Sequence, residues 1–439
     1  MTPHHPGEPA SDAHRDGVAA SEPRALRTFT PTQAVLARSR GVFHWTADGR
    51  RLFDFTSGVL VANLGHNPPG WLRRVQELVG WDGGEPVPLT AYNAVTPVEV
   101  EASRLLLDTC QRSPGGGRLQ RVLWAASGAE AVQKAMWACM TRDRPRVLAT
   151  RHGFHGKKGL SGAVTGSEAD PERDPRVHFV GFPREECRDV AQRDDPFDPA
   201  PYRRELDTLW QAHGPKLGTL ITEPYLGGGG SFHPPPAYLH MLQAFCRDHD
   251  IAFILDGVQA CFGRCGTLFS HEKYGLEPDV VVLGKGLGNG IPVAAAVGRA
   301  DLFDRLGYGE ASDTFSGHPL GSAAVVATLE AFAARDVLGP MRAVSACLEA
   351  GLVGLKRFPQ VRHVRGEQGG MVWGVEFADP EAANRFVLNA YRGVSSGRDG
   401  DGVHLLGPLA KTVVRVSPPL VITADEVAAA LRILDAALA

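Results

Sequence analysis

Three stretches of this sequence place reactive or ligand-holding groups directly after apolar runs. Lys285 follows VVVLG, Asp256 closes IAFILD, and Ser127-Gly128-Ala129 follows RVLWAA and opens a helix-like segment. A lysine amine is a nucleophile that condenses with carbonyl carbon. A carboxylate that ends an apolar run is costly to bury unless a partner meets it. Backbone amides at a helix start, helped by the helix dipole, can hold a phosphate. Only eight of the 46 basic residues are lysines (134, 157, 158, 216, 273, 285, 356 and 411), so lysine chemistry has a short list to draw on.

Each signal also has a plain structural reading. A Ser-Gly-Ala-Glu start is ordinarily just a helix cap. A buried strand-end aspartate often serves only as a hydrogen-bond acceptor, and a lysine among glycines can be a surface turn. GGGG at 227–230 can be a flexible loop. Two motif matches fail on their own terms. In GKGLGNG (284–290), Asn289 stands where a dinucleotide fingerprint needs its third glycine, and Gly286 follows Lys285 where a P-loop needs Ser or Thr.

The elements that must position these residues can be read from periodicity. RVLWAA (121–126), RVLAT (146–150), GTLITEP (218–224), IAFILD (251–256) and VVVLG (280–284) are strand-like. Between them, Ser127 and Glu130 form a capping box, after which Val132, Met136, Cys139 and Met140 share one helical face. Tyr238, Leu239, Leu242, Phe245 and Cys246 repeat that pattern. Strand–helix alternation implies a largely parallel sheet covered on both faces, with ligands beyond its carboxyl edge. GVFHWTADGRRLFDFTSGVL (41–60) reads as two strands around an Asp48-Gly49 turn, and GHNPPG (65–70) breaks the chain after it. Alanine-rich helices around GGMVWGVEF (369–377) suggest a separate, smaller α+β lobe, and no internal repeat is present.

Bulk properties exclude several classes. A formal net charge of −3 gives no reason to expect nucleic acid or an anionic membrane as partner. Seven scattered cysteines point to free thiols in a reducing cytoplasm, and the Cys261/Cys265 spacing does not suit zinc, so no metal is expected. The sequence shows no transmembrane segment or secretory signal. Residues 1–27 are polar and rich in Pro and Gly, which predicts a disordered tail.

A phosphate cradle, an acid and a lysine together match the needs of pyridoxal 5'-phosphate (PLP): the lysine forms a Schiff base, and the acid keeps the pyridinium nitrogen protonated. From about residue 30 to 430 the sequence resembles the class III aminotransferases of PLP fold type I. The matching stretches run in family order: GVFHWTADGRRLFDFTSG with GHNPP, SGAEAVQKAMWA, Phe154-His155-Gly156, Glu223-Pro224, LDGVQACFGRCG, VVLGKGLGNGIPVAAAVGR, TFSGHPLGSAA and VVRVSPPL.

The resemblance implies a large domain with a mostly parallel seven-stranded sheet (81–330) and a small domain built from 28–80 and 331–439. It makes Lys285 the Schiff-base residue and proton carrier, and Asp256 the partner of the pyridinium nitrogen. Val258 and Phe154 would sandwich the ring, and Gln259 would bond its phenolic oxygen. Ser127, Gly128 and Ala129 would hold the phosphate, and His155 and Glu223 would belong to the cofactor site. Thr314 would reach the phosphate of the neighbouring subunit in a homodimer with shared sites, and Arg415 would grip a substrate carboxylate.

Two positions depart from the family pattern. Gly257 stands where an acidic residue is usual after the pyridinium aspartate. Gly228 stands where relatives acting on ornithine or 4-aminobutyrate carry a glutamate that masks the arginine. With SGHP at 316–319, this resembles the branch acting on ω-amino acids and amines. The expected activity is ping-pong transamination between a primary amine (ω-amino acid, diamine or amino sugar) and a keto acid or carbonyl compound, with a role in specialised biosynthesis. The alternatives are a PLP-dependent aminomutase, racemase or lyase, or a non-catalytic binding protein of the same fold.

Overall fold

The chain divides into two compact units, Met1–Pro68 with Val337–Ala439, and Pro69–Asp336. The computed structural model describes residues 3–140, 143–170, 174–393 and 401–439.

Seven strands of the second unit form one sheet. Across it lie Arg121–Ala125, Ala294–Gly298, Val280–Leu283, Ala252–Asp256, Leu217–Thr222, Arg146–Thr150 and Val177–Val180. Ala294–Gly298 runs antiparallel to both its neighbours, and every other pairing is parallel. Alternation sorts the side chains between the faces. Ala252 and Ile254 join one apolar cluster with Val147, Ala149, Ile221, Val280 and Val282, whereas Phe253 and Leu255 join another with Leu148, Val180 and Leu220. Burial on both faces is why these strands read as unbroken apolar runs.

Helix Gly128–Met140 buries Ala131, Val132, Ala135, Met136 and Cys139 in the first cluster. Helix Pro236–Asp248 buries Tyr238, Leu239, Leu242, Phe245 and Cys246 in the second. Each large aliphatic or aromatic side chain so buried contributes about 1.5–3 kcal/mol. Two strands, Val177–Val180 and Ala294–Gly298, fall outside the five runs picked out by sequence pattern. The second is three alanines, a valine and a glycine, a poor strand by propensity. Its pairing on both edges and the helix 128–140 packed against it make it a strand.

The other unit holds a four-stranded sheet ordered Leu36–Arg40, Phe43–Thr46, Arg51–Asp54, Gly402–His404, and a three-stranded one ordered Val361–Gly366, Trp373–Phe377, Val413–Val416. The expectation of a disordered tail over 1–27 is corrected here, because Pro9–Ser21 is a helix. Arg15 is buried in it, paired with Glu8 at 2.7 Å and Asp12 at 2.5 Å. The amides of Ala10 and Ser11 donate to the Asp48 carboxylate at 2.9 and 3.0 Å. Polar anchors hold this helix, so no apolar stripe announces it.

The expected boundaries at 80/81 and 330/331 also shift, to 68/69 and 336/337. Helix Pro69–Val79 packs on helix Pro319–Ala334, with Trp71 Nε1 donating to Thr328 Oγ1 at 2.9 Å and Arg74 pairing with Glu330. Among the described residues one helical run, Leu338–Arg357, is long and apolar enough to cross a membrane. Its buried residues Met341, Ser345, Leu348 and Leu352 recur on one face, and that helix packs on Ala424–Ala436, as a core helix does.

Candidate active site

The parallel strands deliver their carboxyl ends to one edge, and the residues singled out by chemistry collect there. Asp256 ends its strand almost fully buried. One carboxylate oxygen lies 2.7 Å from His155 Nδ1, and the other accepts the Val258 amide at 3.0 Å. Burial disfavours charge on His155, but the Asp256 hydrogen bond and charge outweigh it and hold the imidazole above its ordinary pKa. Glu223, just beyond strand 217–222, accepts the Phe154 amide at 2.8 Å and the Gly227 amide at 3.1 Å. Burial pushes its carboxyl up to about 7, with Asp256 adding to the shift and His155 opposing it. These three side chains therefore form one electrostatic unit under the edge of the sheet.

Val258 joins the two remaining elements. A Cβ built on Gly128, at the start of helix 128–140, would meet the Val258 methyls at 3.0 and 3.1 Å, and one on Gly284 would meet a methyl at 3.3 Å. One side chain thus touches both the helix start and the residue before Lys285. The capping box forms as expected: the Glu130 carboxylate takes the amides of Ala126 and Ser127, and the Glu130 amide donates to Ser127 Oγ at 3.3 Å. Gly128 and Ala129 thus present the first amides of the helix. Gly156, at φ +151°, brings the Phe154-His155-Gly156 segment down on Ala129, and a Cβ there would sit 2.9 Å from that of Ala129. Lys285 opens a tight turn at φ +47°, a left-handed conformation that costs a non-glycine residue on the order of 1–3 kcal/mol.

The glycine-rich segment also acquires a physical account. A Cβ on Gly227 would lie 1.9 Å from Gln259 Oε1, and one on Gly228 would lie 2.9 Å from Phe154 Cβ. Position 228 therefore has no room for a glutamate while Phe154 stays in place. Gly257 is enclosed in the same way, since a Cβ there would meet Cys261 Sγ at 2.4 Å. The thiol fills the space that an acidic side chain would enter.

Thr314 is exposed on a segment that Lys134 secures. The buried Lys134 Nζ donates to Asp313 at 2.7 Å, Ser316 at 2.6 Å and the Trp124 carbonyl at 2.7 Å. Arg415 lies in the other unit, buried on strand 413–416 opposite Gly374. Sequence reasoning missed Lys134 and Gly227. The available signals were a lysine on the apolar side of an otherwise small-residue helix, and a glycine four residues after Glu223.

The residues match a model of the family described as aminotransferase class-III over 26–438. Among curated relatives, an acetylornithine aminotransferase of Streptomyces coelicolor is 32% identical over 92% of this chain and 91% of its own. One from Agrobacterium fabrum is 29% identical over 94% and 95%. Among solved structures, a PLP-bound amine transaminase from an uncultivated Pseudomonas species superposes with a TM-score of 0.80 at 26% identity, covering 100% of this chain and 98% of that one. The chain belongs to the class III aminotransferases, enzymes that use PLP and share PLP fold type I. Its residues fit that cofactor: Gln259 Oε1 is a buried polar atom without a partner among the described residues, in an amide whose O and N ends are interchangeable by a flip, and Gly128 opens helix 128–140 with no side chain beside its amide.

Proposed function

We propose that this aminotransferase moves an amino group from a primary amine donor lacking an α-carboxylate requirement, an ω-amino acid, diamine or amino sugar, to a keto acid or carbonyl acceptor by a ping-pong mechanism. When bound, PLP supplies the aldehyde that exchanges with the amine and the ring that takes up the electrons left by a departing Cα proton. The residues of this chain supply the rest. Lys285 Nζ is the amine assigned to hold the cofactor and then to carry the proton. Asp256, fixed by His155 and the Val258 amide, is assigned to the pyridinium nitrogen. Val258 and Phe154 are assigned to the two ring faces and Gln259 to the phenolic oxygen. Ser127, Gly128 and Ala129 are assigned to the phosphate, and Arg415 to a substrate carboxylate.

The observation that carries the cofactor assignment is Val258, in contact distance of both Gly128 and Gly284 and two residues from Asp256. The donor class is supported by the close approach of Gly228 to Phe154, which keeps an arginine-masking glutamate out of that position. A homodimer with Thr314 contributed across the interface is supported by exposed Trp81, Leu89, Tyr92, Val95, Tyr308 and Phe315. The amine itself is found by adding glutamate, alanine, ornithine, putrescine, 4-aminobutyrate and an amino sugar to the holoenzyme without a keto acid. Loss of the visible cofactor band with an amine from the last four supports the reading. Bleaching by glutamate and alanine alone, or release of ammonia or carbon dioxide, overturns it.

A further inference from the structure

A second cluster of ligating side chains lies in the unit formed by 1–68 and 337–439, which carries none of the residues assigned above to the cofactor. His44, Asp54 and His66 each offer one ligand atom, all within 4.8 Å of one another. Strand geometry brings them together. His44 pairs opposite Leu52, two residues from Asp54, so His44, Leu52 and Asp54 share a sheet face. His404 pairs opposite Asp54 on the other side. His66 is delivered by the turn at Gly65 and held by two backbone hydrogen bonds of 2.8 Å with Gly41.

The bonding in this cluster is incomplete in a specific way. Asp54, fully buried, has one oxygen fixed by the Thr56 amide at 2.8 Å, the Thr56 hydroxyl at 2.7 Å and the Ser57 amide at 3.1 Å. Its other oxygen lies 2.7 Å from His66 Nε2. His44, only 2% exposed, has its Nδ1 2.7 Å from Ser39 Oγ. Its Nε2 has no hydrogen-bond partner, yet lies 3.5 Å from an Asp54 oxygen. If Nδ1 donates to Ser39, the Nε2 lone pair faces a carboxylate; if Ser39 donates, a buried N–H goes unused. The first arrangement leaves a buried polar atom unmet, and the second leaves one poorly met at 3.5 Å. The neighbouring His404 ring, edge-on to His44 at 5.6 Å, has a buried Nδ1 that is also without a partner.

We propose that His44 Nε2, His66 Nε2 and the Asp54 carboxylate bind a divalent first-row transition cation of the zinc class. Two imidazoles and a carboxylate are a donor set suited to such ions. Ligand bonds of about 2.0–2.2 Å around a tetrahedral ion put neighbouring donors about 3.4 Å apart. His44 Nε2 lies 3.5 Å from Asp54 Oδ1, the oxygen that Thr56 and Ser57 already hold, so the ion falls to Oδ2, 2.7 Å from His66 Nε2. His66, whose side chain is 16% exposed, is the member that moves outward to admit the ion. Ser39 and the Thr56 and Ser57 amides supply the outer hydrogen bonds that orient ligands in metal sites. The ion would tie strands 43–46 and 51–54 to the turn at 65–66, a structural role.

The test uses tag-free holoenzyme freed of metal with a chelator, titrated calorimetrically with zinc chloride, and analysed for bound metal after gel filtration. One zinc per chain, a higher thermal midpoint with zinc, and unchanged PLP content are expected. His44→Leu should abolish this binding, and Ser39→Ala should weaken it about 10–100-fold, as loss of an outer hydrogen bond does. The wild-type titration decides without any variant having to fold: substoichiometric binding overturns the site. Stoichiometric binding that His44→Leu leaves intact overturns it equally, and assigns the ion elsewhere.

Discussion

At the scale of single residues the site is an exercise in holding charge out of water. Glu223 is fully enclosed, with its carboxyl raised from its ordinary 4.5 to about 7. Between those values the folded apoprotein keeps a proton that the unfolded chain has released. The contribution of Glu223 is therefore complete below about pH 4.5 and is lost as pH rises through 7, a difference of about 3 kcal/mol at most. His155 acts in the same sense: its raised pKa gives stability that is full below its ordinary 6.5 and declines as pH passes its folded value. His271 and His404, pushed by burial down to about 4, act in the opposite sense over the same range. The test is therefore the difference between proteins: Glu223→Gln, which needs no proton, should lose less melting temperature than wild-type apoenzyme, or gain more, on going from pH 5 to pH 8. Equal slopes in scanning fluorimetry would mean that Glu223 is ionised throughout. Lys285→Ala removes the amine assigned to the cofactor, so kcat should fall by about 10³-fold or more in steady-state assays, within the range of lost acid–base catalysis or above it. The positions of Asp256, Lys285 and Ser127 were legible because each follows an apolar run, and a sheet of this kind presents such residues at one edge. Lys134 was not, because nothing in sequence says that a helical lysine will meet Asp313 and Ser316 across 179 and 182 residues.

At the scale of elements, close approach explains the departures from the family pattern. Gly228 and Phe154 are packed so that any side chain at 228 must displace Phe154 from its Cβ outward. Gly228→Glu should lower stability by about 1–3 kcal/mol, as overpacking does, and weaken PLP binding by moving Phe154. Phe154→Gly, which removes the Cβ as well as the ring, should relieve much of that stability loss, so the double variant should be less destabilised than the two single effects added. Additivity in a thermal-melt cycle would mean that the two positions do not touch. Lys134 secures the segment carrying Thr314, and Lys134→Met would strip Asp313, Ser316 and the Trp124 carbonyl of a shared donor. Stability should drop by about 1–3 kcal/mol, and PLP affinity, measured by cofactor titration, should fall with it. Strand reading succeeded where valine, leucine and isoleucine run together and failed at Ala294–Gly298, whose strand state comes from its neighbours. The helix Pro9–Ser21 was missed for the converse reason, since ion pairs to Arg15 and amide bonds to Asp48 hold it without apolar periodicity.

At the scale of the whole molecule the question is whether one chain completes a site. Thr314 stands exposed beside Phe315 on a segment tied down by Lys134, while Lys285 sits at the sheet edge of the same chain. If Thr314 serves the site of a second copy, the two residues belong to different active sites of a twofold dimer. Lys285→Ala and Thr314→Asp homodimers should each be nearly inactive, the first for want of the amine and the second because a carboxylate would face the phosphate. Unfolding and refolding the two together should yield heterodimers in which one site carries both replacements and the other carries neither. Random pairing then restores about a quarter of wild-type sites, given the symmetry of the pair. Activity rising from near zero to about that fraction on mixing, measured with saturating PLP, is the expected outcome. No gain on mixing, with heterodimers demonstrated by differently tagged chains, would place Thr314 and Lys285 in the same site and remove the shared-site reading.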